Sequence, residues 1–201
     1  MTKKGSNRNF DKKRKIINEY NSSSFYYDKR YYQIQKEKFK IILKKPNFES
    51  KRILDAGCGT GLLLEHMLSL FNQNDKINYS YVGIDISFNM LHEFYFKIKN
   101  LNNKRDINLV LSDIEYLPFR ENFFNLIYSI TSFQNLSNIK LGFENLLRVS
   151  ASRAKLNLSI LKKKFDLEEF LTFIKPSLQD LEIIAKGEIE DIIIQGKIIK
   201  H

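Results

Sequence analysis

Three aspartates stand where short apolar runs give out, and their surroundings suggest a common ligand. The first is Asp55 in Ile53-Leu54-Asp55-Ala56-Gly57-Cys58-Gly59-Thr60-Gly61. Glycines at this density let a ligand approach the backbone closely and let φ turn positive. Their spacing discriminates: the dinucleotide pattern G-x-G-x-x-G needs a third glycine at position 62, where Leu62 stands, and a triphosphate loop needs a lysine that is absent. The second is Asp85, ending Val82-Gly83-Ile84-Asp85-Ile86-Ser87. A carboxylate at the tip of a second strand accepts hydrogen bonds from two ribose hydroxyls. The third is Asp113 in Ser112-Asp113-Ile114-Glu115-Tyr116-Leu117-Pro118-Phe119. It can accept an amino hydrogen from a base while Ile114 covers the ring face. Together the three point to a nucleoside-bearing ligand.

The elements around these residues read as alternating strand and helix. Arg52–Ala56, Tyr79–Asp85, Ile107–Leu111, Phe124–Ser129 and Lys155–Leu161 are strand-like runs. Between them fall helical patterns: Leu62, Leu63, His66, Met67 and Leu70 on the inner side of the first, Phe88, Leu91, Phe94, Tyr95 and Ile98 in the second. Leu141, Phe143, Leu146 and Leu147 mark the third, and Leu167, Phe170, Leu171 and Ile174 the last, stopped by Pro176. Leu181–Ala185 and Asp191–Ile199 are too close for a crossover and should pair antiparallel. The expected fold class is α/β: a doubly wound, seven-stranded, mostly parallel sheet with an antiparallel last strand, helices on both faces and an N-terminal helical extension. That extension should be a helix from about Phe25 to Lys44, capped by Ser22-Ser23-Ser24 and ended by Pro46.

The D-x-G-x-G-x-G turn resembles motif I of the class I S-adenosylmethionine-dependent methyltransferases. The stretch from Ser112 to Phe119, with Phe123-Phe124-Asn125-Leu126-Ile127 after it, is similar to that of their ubiquinone-biosynthesis-like (type 11) group. The resemblance implies S-adenosylmethionine as cofactor. It places Asp55 at the methionine amino group, and Gly57, Cys58, Gly59 and Gly61 around the sulfonium end. Asp85 and Ile86 fall at the ribose, with Met90, Asp113 and Ile114 at the adenine. Ser129 on the fourth strand joins this set, and Tyr27 and Arg30 of the N-terminal helix are candidates to touch the methionine end, the arginine through the carboxylate. The chain departs from the family at Asn125, where an aspartate is usual, and at Ser150–Arg153, where a K-P-G-G turn is usual. It has Gln134-Asn135 where a His-His pair often stands. These two amides are substrate-side candidates but not general bases at neutral pH, and no catalytic residue is assigned. Methyl transfer from a sulfonium does not demand a base when the acceptor has a free lone pair. The signature of amino-group methylation on adenine or glutamine is missing.

Size and charge bound the rest. The 201 residues fit one domain. The sequence has no apolar run long enough for a membrane span, its start does not read as a secretory signal, and one cysteine, Cys58, suits a reducing compartment. The expectation is a cytoplasmic enzyme. The formal charge of +10 is concentrated: residues 1–45 hold 14 Lys or Arg and four acids, and the remaining 156 hold 19 of each. We therefore divide the chain into a basic flexible tail (1–15), a helical lid segment (16–46) and an S-adenosylmethionine-binding domain (47–201). The basic arm suggests tRNA or rRNA as acceptor. A quinone, lipid precursor or other metabolite is the alternative, as is a non-catalytic S-adenosylmethionine-binding scaffold. The pattern also resembles tRNA and rRNA methyltransferases that need a small activator protein, for which Leu109-Val110-Leu111 would be a docking strand. His66, His92 and the terminal His201 have no second ligand at metal spacing, so no metal is expected.

Overall fold

The computed structural model describes residues 3–44, 46–70, 78–99, 101, 106–164, 166–187 and 189–200. Its centre is a seven-stranded sheet in the order β3-β2-β1-β4-β5-β7-β6. The strands are β1 (Lys51–Ala56), β2 (Tyr79–Asp85), β3 (Asp106–Leu111), β4 (Phe124–Ile130), β5 (Ser150–Leu161), β6 (Leu178–Ala185) and β7 (Asp191–Ile198). The first five are parallel, and β7 inserts antiparallel between β5 and β6. β1 lies inside the sheet, so Ile53 to Ala56 are all buried and apolar apart from Asp55, while Lys51 and Arg52 at its start are only partly covered.

Alternation along the strands sends successive side chains into separate cores. Leu54, Ile84 and Ile127 join Phe143 and Leu146 of α4 (Ile139–Val149) and Phe170 and Ile174 of α5 (Leu167–Ile174). Ile53 and Tyr81 face the other way, onto Leu63 and Met67 of α2 (Leu62–Ser69) and Leu91 and Phe94 of α3 (Phe88–Ile98). α1 (Lys3–Ile42) completes this second layer with Phe39 and Ile42.

Two strands begin earlier than periodicity alone indicates. β5 starts at Ser150, directly after α4, and β6 at Leu178, directly after the turn at Pro176. Leu70, Phe88 and Tyr95, expected on inner faces, are exposed at 44%, 60% and 55%. Leu64 and Met90 are buried in α2 and α3 instead, because the sheet contacts a slightly rotated stripe of each helix.

α1 is the largest departure. Its 40 residues run as one helix from Lys3, through the stretch expected to be a flexible tail. Ser22 and Ser23 do not cap anything; inside the helix they donate back to the Glu19 carbonyl at 2.9 and 2.8 Å, which lets serine sit within a helix without orphaned groups. Contacts with the domain, described below, hold the helix from Lys12 onward. Residues 1–2 and His201 lie outside the described residues.

Candidate active site

The site is built where β1, β2 and the loop after β3 end side by side. Beyond β1 the chain turns sharply, and Gly57 and Cys58 each donate to the Ile84 carbonyl at 2.8 Å, pinning the turn over β2. Gly57 has φ +83°, and a Cβ there would lie 2.1 Å from Ser132 Oγ. Only glycine fits. Gly59 also has positive φ, but nothing lies within 4 Å of where its Cβ would be; that open space is part of the recess.

Of the three aspartates only Asp55 is fully buried in this cradle, and Asp85 is half-buried. Asp85 accepts from the backbone N–H groups of Gly59 (2.9 Å) and Ser87 (2.8 Å). Burial raises its pKa and these N–H groups oppose the rise. Asp55 lies beneath the turn, 2% exposed, and accepts from the Tyr81 hydroxyl at 2.5 Å. Burial pushes it up to about 7; the tyrosine opposes this and the Asp85 charge adds to it. Burial also raises the Cys58 thiol, which stays protonated and inert. Asp113 is more open. Its Oδ1 accepts from Glu115 N–H at 2.9 Å and its Oδ2 pairs with Lys13 at 2.6 Å.

Lys13 belongs to α1, which crosses the strand tips as a roof with polar contacts along its length. Lys13 also pairs with Glu115 at 2.8 Å. Burial alone would lower the lysine's pKa, but the two carboxylates more than offset that and raise it. Glu115, 2% exposed, uses its other oxygen to accept from the Ser137 and Asn138 N–H groups. Lys12 reaches the Leu136 carbonyl. Further along, the Tyr20 hydroxyl accepts from Asn135 Nδ2 at 2.8 Å. Asn21 bonds Ser87 and Asn89, and Asp28 accepts from Thr60 in the glycine turn. Near the helix's C-terminal end, the buried Lys38 donates to Thr131 Oγ1 at 2.7 Å and lies 2.8 Å from Asp191 Oδ1. Thr131, just past β4, has φ 57°, a strained state for a β-branched residue. Its hydroxyl donates to Asp191 and its carbonyl accepts from Gln134, so surrounding bonds impose the strain.

Beneath this roof lies a recess of about 690 Å³, a figure that includes its open mouth. Of the residues the sequence singled out, Tyr27, Gly57, Gly59, Asp85, Ile86, Met90, Asp113, Ile114 and Asn135 line it. A smaller cavity of about 330 Å³ shares Tyr27, Gly57 and Gly59 and is lined by Asp55 and Cys58. Four others stand apart. Gly61 starts α2 and gives room to the Phe94 ring, and Ser129 is buried, donating to the Ala56 carbonyl at 2.8 Å. Gln134 is turned onto Thr131, and Arg30 is exposed with its guanidinium over the Tyr31 ring. Sequence reasoning missed Lys13, Ile16, Tyr20 and Thr131 in the larger cavity and Gln35 in the smaller. The tyrosines carried a usable signal, since Tyr20, Tyr27 and Tyr31 repeat at helical spacing. Asn125, the departure on β4, holds the sheet by accepting from Arg52 N–H at 3.0 Å. Among the described residues no group of His, Cys, Asp and Glu is arranged to hold a metal, and no helix is long and apolar enough to cross a membrane.

Residues 53–152 match the family described as methyltransferase domain. Among curated proteins, the malonyl-[acyl-carrier protein] O-methyltransferase 2 of Ilyobacter polytropus is 31% identical over 182 residues, 89% of this chain and 63% of that protein. The ubiquinone/menaquinone biosynthesis C-methyltransferase UbiE of Wigglesworthia glossinidia brevipalpis is 29% identical, covering 60% and 50%. A tRNA U34 carboxymethyltransferase of Nautilia profundicola is 35% identical over 97 residues, covering 46% and 28%. The chain spans 50% to 63% of the length of the first relatives it matches. Among solved structures, a methyltransferase from Methanococcus maripaludis superposes with TM-score 0.72 at 16% identity, covering 90% of this chain and 93% of that one. Magnesium protoporphyrin IX methyltransferase from Synechocystis, solved with bound S-adenosylmethionine, gives 0.71 at 15%, covering 92% and 96%. A Haloferax volcanii methyltransferase in complex with the Trm112 activator gives 0.67 at 13%, covering 90% and 98%.

Proposed function

Because the chain belongs to the class I S-adenosylmethionine-dependent methyltransferases, we propose that it moves a methyl group from S-adenosylmethionine to a small organic acceptor held under α1. One observation carries this reading: the glycine turn and three strand-tip aspartates border adjoining cavities that the same helix covers. The lining suits the cofactor. Open space stands over Gly59, and acceptor carboxylates flank an apolar middle of Ile86, Met90 and Ile114.

Bound S-adenosylmethionine supplies a methyl group already activated on a sulfonium. The chain's part is then to bind, align and exclude water. In our reading Asp85 accepts from the ribose hydroxyls, Asp113 takes the adenine amino group beside Ile114, and Asp55 faces the methionine ammonium. Tyr20, Asn135 and Thr131 remain for the acceptor, all on the side of the recess that α1 covers. Lys12 and Lys13, which as free cations would favour a polyanion, are spent on the domain itself, and this favours a small acceptor over RNA.

A second reading has its own support. The first 45 residues carry the whole net charge of +10, and Arg14, Lys15, Lys29 and Arg30 are exposed; that is the footprint of a tRNA or rRNA acceptor. β3 is an edge strand with Leu111 57% exposed, and we assign to it the docking of a small activator protein. The purified chain, incubated with methyl-labelled S-adenosylmethionine and fractionated extract, should transfer label to the low-molecular-weight fraction. Label in RNA instead would establish the second reading, and absence of S-adenosylmethionine binding by calorimetry would reject both.

A further inference from the structure

The roof helix contributes one group that neither the glycine motif nor the family match covers. Gln35, on α1, is 6% exposed and lines the smaller cavity with Asp55, Gly57 and Thr60. Its Oε1 is buried and has no hydrogen-bond partner. The unpartnered atom is the amide oxygen, an acceptor. Leaving a buried acceptor unmade costs stability, so a fold that keeps one at a cavity wall is holding it for a donor that arrives from outside.

Asp55 lines the same small cavity and brings a second acceptor. Two acceptors, one able to carry a negative charge, suit a cation with several N–H donors and disfavour a carboxylate. We infer that Gln35 is a positioning residue for the ammonium of the cofactor's amino-acid end, completing with Asp55 a two-acceptor cradle in which one wall is supplied by the roof helix. The inference rests on S-adenosylmethionine being the ligand. Its consequence is mechanical: the helix that covers the acceptor side also grips the donor, so that closure of the roof and seating of the sulfonium are one event.

The experiment compares two probes in calorimetry on the full chain. S-adenosylmethionine has the ammonium, and 5′-deoxy-5′-methylthioadenosine keeps the nucleoside and thioether but lacks the amino-acid end. Gln35→Leu should weaken S-adenosylmethionine binding by roughly tenfold or more, as for loss of a hydrogen bond to a charged group, while methylthioadenosine binds within about twofold of the parent. Equal weakening of both probes, or no change in either, overturns the inference. Gln35→Glu keeps an acceptor in place and should preserve or increase the preference for S-adenosylmethionine over methylthioadenosine. A reduced preference overturns the inference, and this variant decides if Gln35→Leu does not fold. An unsubstituted protein that binds neither probe would instead remove the proposed function on which the inference stands.

Discussion

At the residue scale the unusual group is Asp55, a carboxyl with no cation beside it, buried at the centre of the sheet and pushed up to about 7. A folded-state pKa above the unfolded value means that ionisation costs stability. The contribution of such a group is fully present below the unfolded range near 4 and is lost as pH rises through about 7. Asp85 acts in the same direction. The unliganded protein should therefore melt at lower temperature at pH 8.5 than at pH 6, and Asp55→Asn should flatten that difference in thermal scans across the two pH values. An unchanged pH slope in the variant would show that Asp55 is already ionised at pH 6. The ammonium of a bound cofactor needs the carboxylate, so affinity for S-adenosylmethionine should fall by up to about tenfold per unit as pH drops below about 7. These three aspartates were legible in the sequence because each ends an apolar run and the glycines beside Asp55 have a spacing that excludes other loops. Gln35, Lys13 and Glu115 were not. Nothing in their local sequence separates them from solvated neighbours, and only the path of α1 brings the first two to the cavities.

At the element scale α1 is held very differently at its two ends. The Lys13–Asp113 pair is partly exposed, with the lysine side chain 22% accessible and Asp113 at 18%, and a pair of that kind contributes little; Glu115, the lysine's other partner, is buried but also accepts from the Ser137 and Asn138 N–H groups. Lys38 and Asp191 are buried, and burial lowers the lysine's pKa against the opposing pull of Asp191. Removing one partner of a buried pair leaves an uncompensated charge and costs about 3–5 kcal/mol, whereas replacing both can be nearly neutral. Lys38→Met should thus destabilise by about that amount in denaturant melts, and adding Asp191→Asn should recover much of it, whereas strictly additive losses would mean that the two do not work as a pair. Lys13→Ala should cost less than Lys38→Met, because Glu115 keeps two backbone N–H donors when the lysine is lost. The sequence located a helix ending before Pro46 but placed its start at the serines. Three serines look like a cap because their hydroxyls compete with helix formation; here tertiary contacts on either side override that preference and the hydroxyls bond backward into the helix.

At the scale of the whole molecule, a helix of 40 residues is about 60 Å long, and it carries most of the chain's net positive charge across the mouth of the recess. The mostly parallel sheet followed from the alternation of strand and helix, but that alternation says nothing about where an N-terminal arm lies, so charge density there was readable and charge position was not. Position matters because charge displayed on the outside of a roof binds polyanions whether or not they are substrates. Binding of tRNA therefore cannot identify the acceptor by itself; its response to charge reversal can. With Arg14, Lys15, Lys29 and Arg30 replaced by Glu, affinity for bulk tRNA should collapse and its salt slope flatten. Affinity for S-adenosylmethionine and the rate of label transfer to the low-molecular-weight fraction should stay within about twofold, since none of the four lines either cavity. If product formation falls together with tRNA affinity, the exposed face of α1 is guiding the true acceptor, and the second reading replaces the first.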